Sequence, residues 1–292
     1  MTLPSPAPAP VAFFDVDETL ISVNGMARFL RHHMRSRGQT RAAFEDAVRD
    51  LRALGARGAS REEIARAYYR LYAGCDEREL AAEGREWFAA ELRSGGLFLA
   101  DSVAALREHR RRAEPVVLVS GSFAPCLDPV AERLGVEADA VLCARPKAVD
   151  GVLTGAVDVT MTGEEKAVAV RALLRERGVR PDGCHAYGDH ASDLAMLRAV
   201  GHPVVVGADP VLLRHAEAGG WRRLPGAASA GHRGAPAGSR TRASREWLGF
   251  PQRRRRGPGA DVAGTPAGGD APPATAAESP TPRRPPLFRR PS

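Results

Sequence analysis

Short apolar runs that end in a polar residue are the feature that most constrains the fold of this chain. They predict buried strands over residues 11–14, 115–119, 184–187 and 203–206. Segments with helical periodicity lie between them, over residues 101–112, 123–134, 164–177, 190–199 and 209–218. Strands that alternate with helices of this length predict an α/β fold, in which a parallel sheet carries helices on both faces.

Two segments depart from this alternation. Residues 24–94 contain no strand pattern, and their apolar residues recur at i, i+4 and i+7, which predicts about four amphipathic helices inserted after the first strand. Residues 148–160 predict a small hairpin around Asp150-Gly151. We therefore expect a catalytic core over 11–23 and 95–224, with a helical cap over 24–94.

The two ends of the chain have a composition that does not favour folding. Residues 1–10 are rich in Pro and Ala, and residues 225–292 hold 12 of the 23 prolines. Both segments are predicted to be disordered. The last segment also carries 12 Arg and four acidic residues, whereas residues 1–224 carry 30 basic and 31 acidic ones. The net charge of +7 therefore arises in the tail, and we expect nucleic acid to be bound, if at all, by the tail only.

Several classes of protein are excluded by simpler patterns. No apolar run approaches the roughly 18 residues of a membrane-spanning helix, and residues 1–10 lack the apolar region of a secretory signal. The four cysteines are scattered, which argues against a disulfide framework and a structural zinc site. We expect a cytoplasmic protein without a membrane partner, and the oligomeric state stays open.

Carboxylates follow the first predicted strand. Asp15 and Asp17 are two residues apart where the chain turns. Two acidic side chains so close repel each other unless a cation or a proton lies between them, and a hard divalent ion such as Mg²⁺ is the usual solution. An ordinary acidic loop is the alternative.

The second predicted strand ends at Ser120-Gly121, which offers a hydroxyl and backbone N–H groups at a helix start. This arrangement suits a phosphate oxygen, although an ordinary helix cap would have the same sequence. Lys166 begins another helix and is one of only two lysines beside 40 arginines. Its ammonium could neutralise a carboxylate and a phosphoryl oxygen, or lie in solvent.

The third predicted strand ends at Gly188-Asp189, and Asp193 follows in the first turn of a helix. One carboxylate could reach a metal ion while the other holds a metal-bound water or Lys166. Helix capping by Asp193 or Ser192 is the alternative. His190 lies beside them, but a single histidine without partners is more often structural than a metal ligand.

Taken together and in this order, the motifs resemble those of the haloacid dehalogenase superfamily of aspartate-nucleophile phosphotransferases. The motifs of that superfamily are Asp-x-Asp-x-Thr, a strand-end Ser, a Lys and Gly-Asp-x-x-x-Asp. They correspond here to Asp15, Asp17, Thr19, Ser120, Lys166, Asp189 and Asp193. The helical insertion resembles the cap of the branch that contains phosphoserine phosphatase. The resemblance covers about residues 11–224 and implies a Rossmann-like core.

The resemblance also implies roles. Asp15 would attack phosphorus and form an aspartyl-phosphate, and Asp17 would act as general acid and base. Mg²⁺ would bind the Asp15 and Asp189 carboxylates and the Asp17 backbone carbonyl, with Asp193 supporting that shell. Ser120, Gly121 and Lys166 would bind the phosphate. The implied enzyme is a magnesium-dependent phosphatase that acts on a small phosphomonoester.

Two positions depart from the phosphoserine phosphatase pattern. Asn24 replaces a substrate-binding Glu, and Ser192 replaces an Asn beside the last motif. Both changes argue against phosphoserine as the substrate, and Arg28 and Arg31 of the cap are candidates for substrate contacts. Two other functions stay open: phosphoryl transfer to an acceptor other than water, and a non-catalytic binder with a polyanion-binding tail.

Overall fold

The computed structural model describes residues 8–227 of the chain. Most of the predicted disordered leader and tail, residues 1–7 and 228–292, therefore lies outside the described residues. Between residues 8 and 227, no helix is both long and apolar enough to span a membrane.

The strands of the described region are β1 (Ala12–Phe14), β2 (Val116–Ser120), β3 (Val141–Cys143), β4 (Arg145–Val149), β5 (Val152–Val159), β6 (His185–Gly188), β7 (His202–Val206) and β8 (Arg222–Leu224). Six of them form a central parallel sheet in the order β3-β2-β1-β6-β7-β8. Strands β4 and β5 form a separate antiparallel pair. The predicted α/β fold is confirmed. The two edge strands, β3 and β8, were not predicted. Strand β8 reads Arg-Arg-Leu and is largely exposed, so it has no apolar run that would indicate a strand.

Nine α-helices accompany the strands in residues 8–227. They are α1 (Gly25–Ser36), α2 (Arg41–Ala56), α3 (Arg61–Arg70), α4 (Glu77–Ser94), α5 (Ala100–Arg111), α6 (Ala124–Leu134), α7 (Glu164–Glu176), α8 (Leu194–Leu197) and α9 (Pro210–Gly219). The helix predicted over 190–199 is wrong in extent. A 3₁₀ turn covers residues 191–193, and α8 is a single turn, because the Asp189 loop occupies the start of that segment.

The alternation of side chains along the strands explains why both faces of the sheet are covered. Ala12 and Phe14 point into one apolar cluster, which continues into α5, α6 and the helices inserted after β1. Val11 and Phe13 point into the other, which continues into α7, α8 and α9. A parallel sheet buried on both faces needs apolar residues at consecutive positions, which is the pattern of β1.

Helices α1–α4 fill the insertion between β1 and α5, as predicted. The hairpin β4–β5 lies against them: the Gly74 N–H donates to the Leu153 carbonyl at 2.7 Å, and Arg66 Nη1 donates to the Val157 carbonyl at 2.7 Å. The hairpin itself was predicted, although it starts at Arg145 rather than 148. The division into a core and a cap domain with the stated boundaries stays a prediction.

The strand register brings the chemical motifs to one edge. Phe14 pairs with Leu118 of β2 and with Tyr187 of β6. Because these strands are parallel and level, the residues that follow them meet at the carboxyl edge of the sheet, where the ligands of open α/β sheets bind.

Candidate active site

Asp15, directly after β1, forms the centre of the site. Its side chain is buried, and Lys166 Nζ donates to Asp15 Oδ1 at 2.5 Å. Lys166 lies in the first turn of α7 and is only 5% exposed. It is therefore not a solvated surface lysine, and it brings α7 to the end of β1.

The same ammonium contacts a second carboxylate. Lys166 Nζ donates to Asp193 Oδ1 at 2.7 Å, and Asp193 Oδ2 accepts from the His190 backbone N–H at 3.2 Å. The turn that allows this contact is tight, because a Cβ on Gly188 would lie 2.7 Å from the Asp193 Cβ. Glycine at 188 thus lets Asp193 fold back beside the end of β6.

Asp17 lies against the start of the first inserted helix. The Met26 N–H donates to Asp17 Oδ2 at 3.4 Å, and a Cβ on Gly25 would lie 2.6 Å from Asp17 Oδ1. Burial and the neighbouring Asp15 charge raise the pKa of Asp17 to about 7, although the Met26 and Gly25 N–H groups oppose this shift. An acid with a pKa near neutrality is suited to both donating and accepting a proton.

Asp189, which follows β6, is held from the β1 loop. Thr19 Oγ1 donates to Asp189 Oδ1 at 3.0 Å. Burial, together with Asp15 and Asp193, raises the pKa of Asp189 well above its ordinary value. Thr19 was part of the predicted motif. Its side chain contacts Asp189, a candidate metal ligand, rather than Asp15.

The site holds more negative charge than Lys166 can balance. Burial raises the pKa of Asp15 to about 6 even though the Lys166 ammonium lowers it. For Asp193, burial is outweighed by Lys166, so its pKa falls below the ordinary value. For Lys166, burial is outweighed by Asp15 and Asp193, so its pKa rises. Lys166 thus stays charged while neighbouring carboxyls compete for further positive charge.

The donor set suits a hard divalent cation. Asp15, Asp189 and Asp193 each offer an oxygen, and these oxygens lie within 4.8 Å of one another. Carboxylate oxygens are the ligands that such cations prefer. Burial is the main cause of the raised pKa values of Asp15 and Asp189, the neighbouring carboxylates add to it, and a bound cation would oppose both effects.

Ser120 and Gly121 lie at the end of β2, on the same edge of the sheet. Ser120 Oγ accepts from the Ser122 N–H at 3.1 Å, and the Tyr69 hydroxyl of α3 donates to the Gly121 carbonyl at 2.7 Å. Helix α6 begins after Phe123 without a side-chain cap. Ser120 is therefore not the cap of α6, and it shapes the loop instead.

Arg61, at the start of α3, is a residue that the sequence analysis missed. Its Nη1 lies 2.7 Å from His190 Nδ1, which also accepts from the Ser192 N–H at 3.0 Å. Burial lowers the pKa of the Arg61 guanidinium, while the charges of Asp193 and Asp189 oppose that shift. Only the tertiary packing brings this cation to the site, because one arginine among 40 carries no sequence signal.

The residues singled out for substrate selection have other contacts. Asn24 caps α1, where its side-chain oxygen accepts from the Ala27 N–H at 2.9 Å. Arg28 is exposed and forms a 3.4 Å ion pair with Glu91, and Arg31 is exposed on α1. Ser192 Oγ lies 3.2 Å from His190 Nδ1, so its side chain has a contact within its own loop.

Comparison with known proteins identifies the family. The profile of the haloacid dehalogenase-like hydrolases matches residues 12–198. The chain belongs to this family. It is 32% identical over 222 residues to the inhibition of morphological differentiation protein of Streptomyces azureus, covering 73% of this chain and 77% of that protein. It is 33% identical over 193 residues to a phosphoserine phosphatase of Halobacterium salinarum, covering 66% and 86%.

The comparison with solved structures agrees with the sequence relatives. A Bordetella pertussis protein of unknown function superposes with a TM-score of 0.67 at 25% identity, covering 75% of this chain and 99% of that one. The predicted family, resembling phosphoserine phosphatase, and the predicted enzyme class, a haloacid dehalogenase-type phosphatase, are both confirmed. The alternative of a non-catalytic binder is not supported.

Replacing the buried ammonium tests the electrostatics of the site. Lys166→Met leaves Asp15 and Asp193 without their partner, so we expect the free energy of unfolding to fall by about 3–5 kcal/mol near neutral pH. Without Lys166, the folded-state pKa of Asp15 rises further and that of Asp193 rises above the unfolded value, so the penalty grows as pH rises. The loss measured by urea unfolding should therefore be larger near pH 8 than near pH 5.

Lys147 provides the matched control, because it is the other lysine of the chain and forms an exposed pair with Asp158. Lys147→Met should change stability by less than about 0.5 kcal/mol at either pH. Equal effects of the two substitutions would contradict the electrostatic role of Lys166.

Proposed function

We propose that the protein is a magnesium-dependent phosphomonoester hydrolase that works through an aspartyl-phosphate on Asp15. The observation that carries the proposal is the buried Asp15 carboxylate at the end of β1, bonded to Lys166 and beside Asp17 with its raised pKa. Membership of a hydrolase family whose relatives include phosphatases supports it.

In the first step, an Asp15 carboxylate oxygen attacks phosphorus and the bond to the substrate's ester oxygen breaks. The leaving alkoxide takes the proton of the Asp17 carboxyl. A pKa of about 7 for Asp17 supports this role, since a carboxyl with an ordinary pKa would hold no proton at neutral pH.

In the second step, the Asp17 carboxylate takes a proton from water, and the water oxygen attacks the same phosphorus. The bond between phosphorus and Asp15 breaks, which releases inorganic phosphate and restores the carboxylate. Lys166 stays charged throughout and balances negative charge on Asp15 and on the transferred group.

Asp15, Asp189 and the backbone carbonyl of Asp17 would hold Mg²⁺, and Asp193 would orient that shell through its contact with Lys166. When bound, the ion supplies charge that neutralises the phosphoryl oxygens and the nucleophile. Ser120 and the Gly121 N–H would bind the remaining phosphoryl oxygens, and the Tyr69 bond to the Gly121 carbonyl would keep that loop in place.

We infer that the substrate is a small phosphomonoester other than phosphoserine. Asn24 carries no charge for a substrate ammonium, and its side chain is already engaged as the cap of α1. Arg61 adds a cation on the inserted-helix side of the site, which favours a substrate with an anionic group besides its phosphate.

A panel of small phosphomonoesters tests the substrate class. We expect inorganic phosphate to be released, with phosphoserine turned over at least about tenfold less efficiently in kcat/KM than the best ester. Phosphoserine as the best substrate would contradict the inference from Asn24. Transfer of the phosphoryl group to an added alcohol, without phosphate release, would identify a transferase instead.

Substitution of the nucleophile tests the covalent mechanism. Asp15→Asn removes the attacking oxygen anion, so kcat should fall at least about a thousandfold. Asp158→Asn, at an exposed position of strand β5, is the matched control and should keep full activity. Activity of Asp15→Asn within about tenfold of the wild type would rule out this nucleophile, provided its melting temperature shows a folded protein.

Removal of the cation tests the predicted cofactor. A chelator should abolish phosphatase activity, and excess Mg²⁺ should restore it. Ca²⁺ should restore it poorly, because its larger and more variable coordination shell would displace the nucleophile. Undiminished turnover in excess chelator would show that the carboxylate cluster does not need a divalent ion.

A further inference from the structure

A second cluster of metal-ligating side chains lies at the opposite edge of the sheet from Asp15. Its members are His109 near the end of α5, Glu114 before β2, and His185 at the start of β6. His185 is level with Ala12, the first residue of β1. Because the proposed active site follows the ends of these strands, the second cluster is separate from it.

The ligand atoms of the cluster are close together. One atom from each of the three residues lies within 4.8 Å of the other two. His109 Nδ1 is 2.5 Å from Glu114 Oε2, so a proton or another cation must lie between these two atoms. Glu114 is in the loop between α5 and β2, and its N–H donates to the His109 carbonyl at 3.0 Å, which keeps the two residues together.

The far side of the His109 ring already has the partner that a ligating histidine needs. His109 Nε2 is 2.8 Å from the Tyr187 hydroxyl. The Tyr187 ring stacks on Phe14 with 4.1 Å between the ring centroids, which fixes the hydroxyl. A hydrogen bond from the second ring nitrogen sets the tautomer and the orientation of a metal-binding imidazole.

His185 supplies an independent indication of a ligand. Within residues 8–227, its buried Nδ1 has no hydrogen-bond partner, and its ring centroid is 4.6 Å from that of His109. A neutral imidazole carries a free electron pair on one of its ring nitrogens, and this is the form that binds a metal ion.

We propose that His109, Glu114 and His185 bind a divalent transition-metal ion of the Zn²⁺ class. Two imidazoles and one carboxylate are a donor set that zinc accepts, with water as a fourth ligand. Imidazole nitrogen distinguishes this site from the carboxylate cluster around Asp15, whose oxygens suit magnesium. Binding would replace the proton between His109 and Glu114.

The ion would link three elements that are far apart in sequence, namely α5, the loop before β2 and strand β6. Because the unfolded chain does not hold these residues together, an ion bound here stabilises the folded protein. The proposed role is therefore structural, and phosphatase turnover should not depend on it. The scattered cysteines argue against a zinc site made of cysteines, and this cluster contains none.

The test uses the full-length protein in excess Mg²⁺, which occupies the carboxylate cluster. Zn²⁺ is titrated in competition with a chromophoric chelator. We expect one Zn²⁺ per chain, with an affinity at least tenfold lower in His185→Ala and in Glu114→Gln. His202→Ala is the matched control, since its ring stacks on His185 but lies outside the cluster.

A second measurement keeps the test valid if His185→Ala folds poorly. Zn²⁺ should raise the melting temperature of the wild type and of His202→Ala, but not that of Glu114→Gln, while all three keep their phosphatase activity. Absence of bound Zn²⁺, or equal affinity in wild type, His185→Ala and Glu114→Gln, would overturn the proposal. These outcomes are independent of whether Asp15 is the nucleophile.

Discussion

One buried ammonium faces several carboxylates, and the rest of the site depends on this imbalance. Lys166 contacts Asp15 and Asp193 directly, yet Asp15, Asp17 and Asp189 all have raised pKa values. Burial is the largest cause of each rise, and neighbouring carboxylates add to it, so positive charge near these carboxyls would favour their ionised forms. The fold keeps them together because they follow parallel strands whose ends are level. A site assembled in this way suits both a divalent cation and a phosphoryl group. The carboxylates would attract the cation, and the Lys166 ammonium would attract the phosphoryl oxygens.

The inserted helices complete the site through small and specific contacts. The start of α1 approaches Asp17 so closely that a side chain at position 25 would displace the Asp17 carboxyl, and the α1 N–H groups oppose the rise in the Asp17 pKa. Helix α3 contributes Tyr69 to the Gly121 loop and Arg61 to the His190 loop. The groups proposed to react thus follow strands of the sheet, whereas the inserted helices contact one acid and one loop and contribute one cation beside them.

The sequence was sufficient for the strand ends but not for what surrounds them. Asp15, Ser120 and Asp189 could be predicted to meet, because parallel strands bring the residues that follow them to one edge. Arg61 could not be predicted, since its place depends on how α3 packs over that edge. The edge strands β3 and β8 were also missed, and β8 consists of two exposed arginines and a leucine, which form no apolar run. The cluster of His109, Glu114 and His185 was missed for a related reason: its members come from three separate elements, and no local spacing connects them.

The central claim is that Asp15 itself becomes phosphorylated, and trapping the intermediate tests it most directly. The enzyme is mixed with substrate and Mg²⁺, quenched in acid within the first turnovers, digested and mapped by mass spectrometry. The account predicts a phosphoryl group on the peptide that contains Asp15, absent from Asp15→Asn, with Asp17 unmodified. A phosphoryl group on another residue, or none during active turnover, would contradict the account.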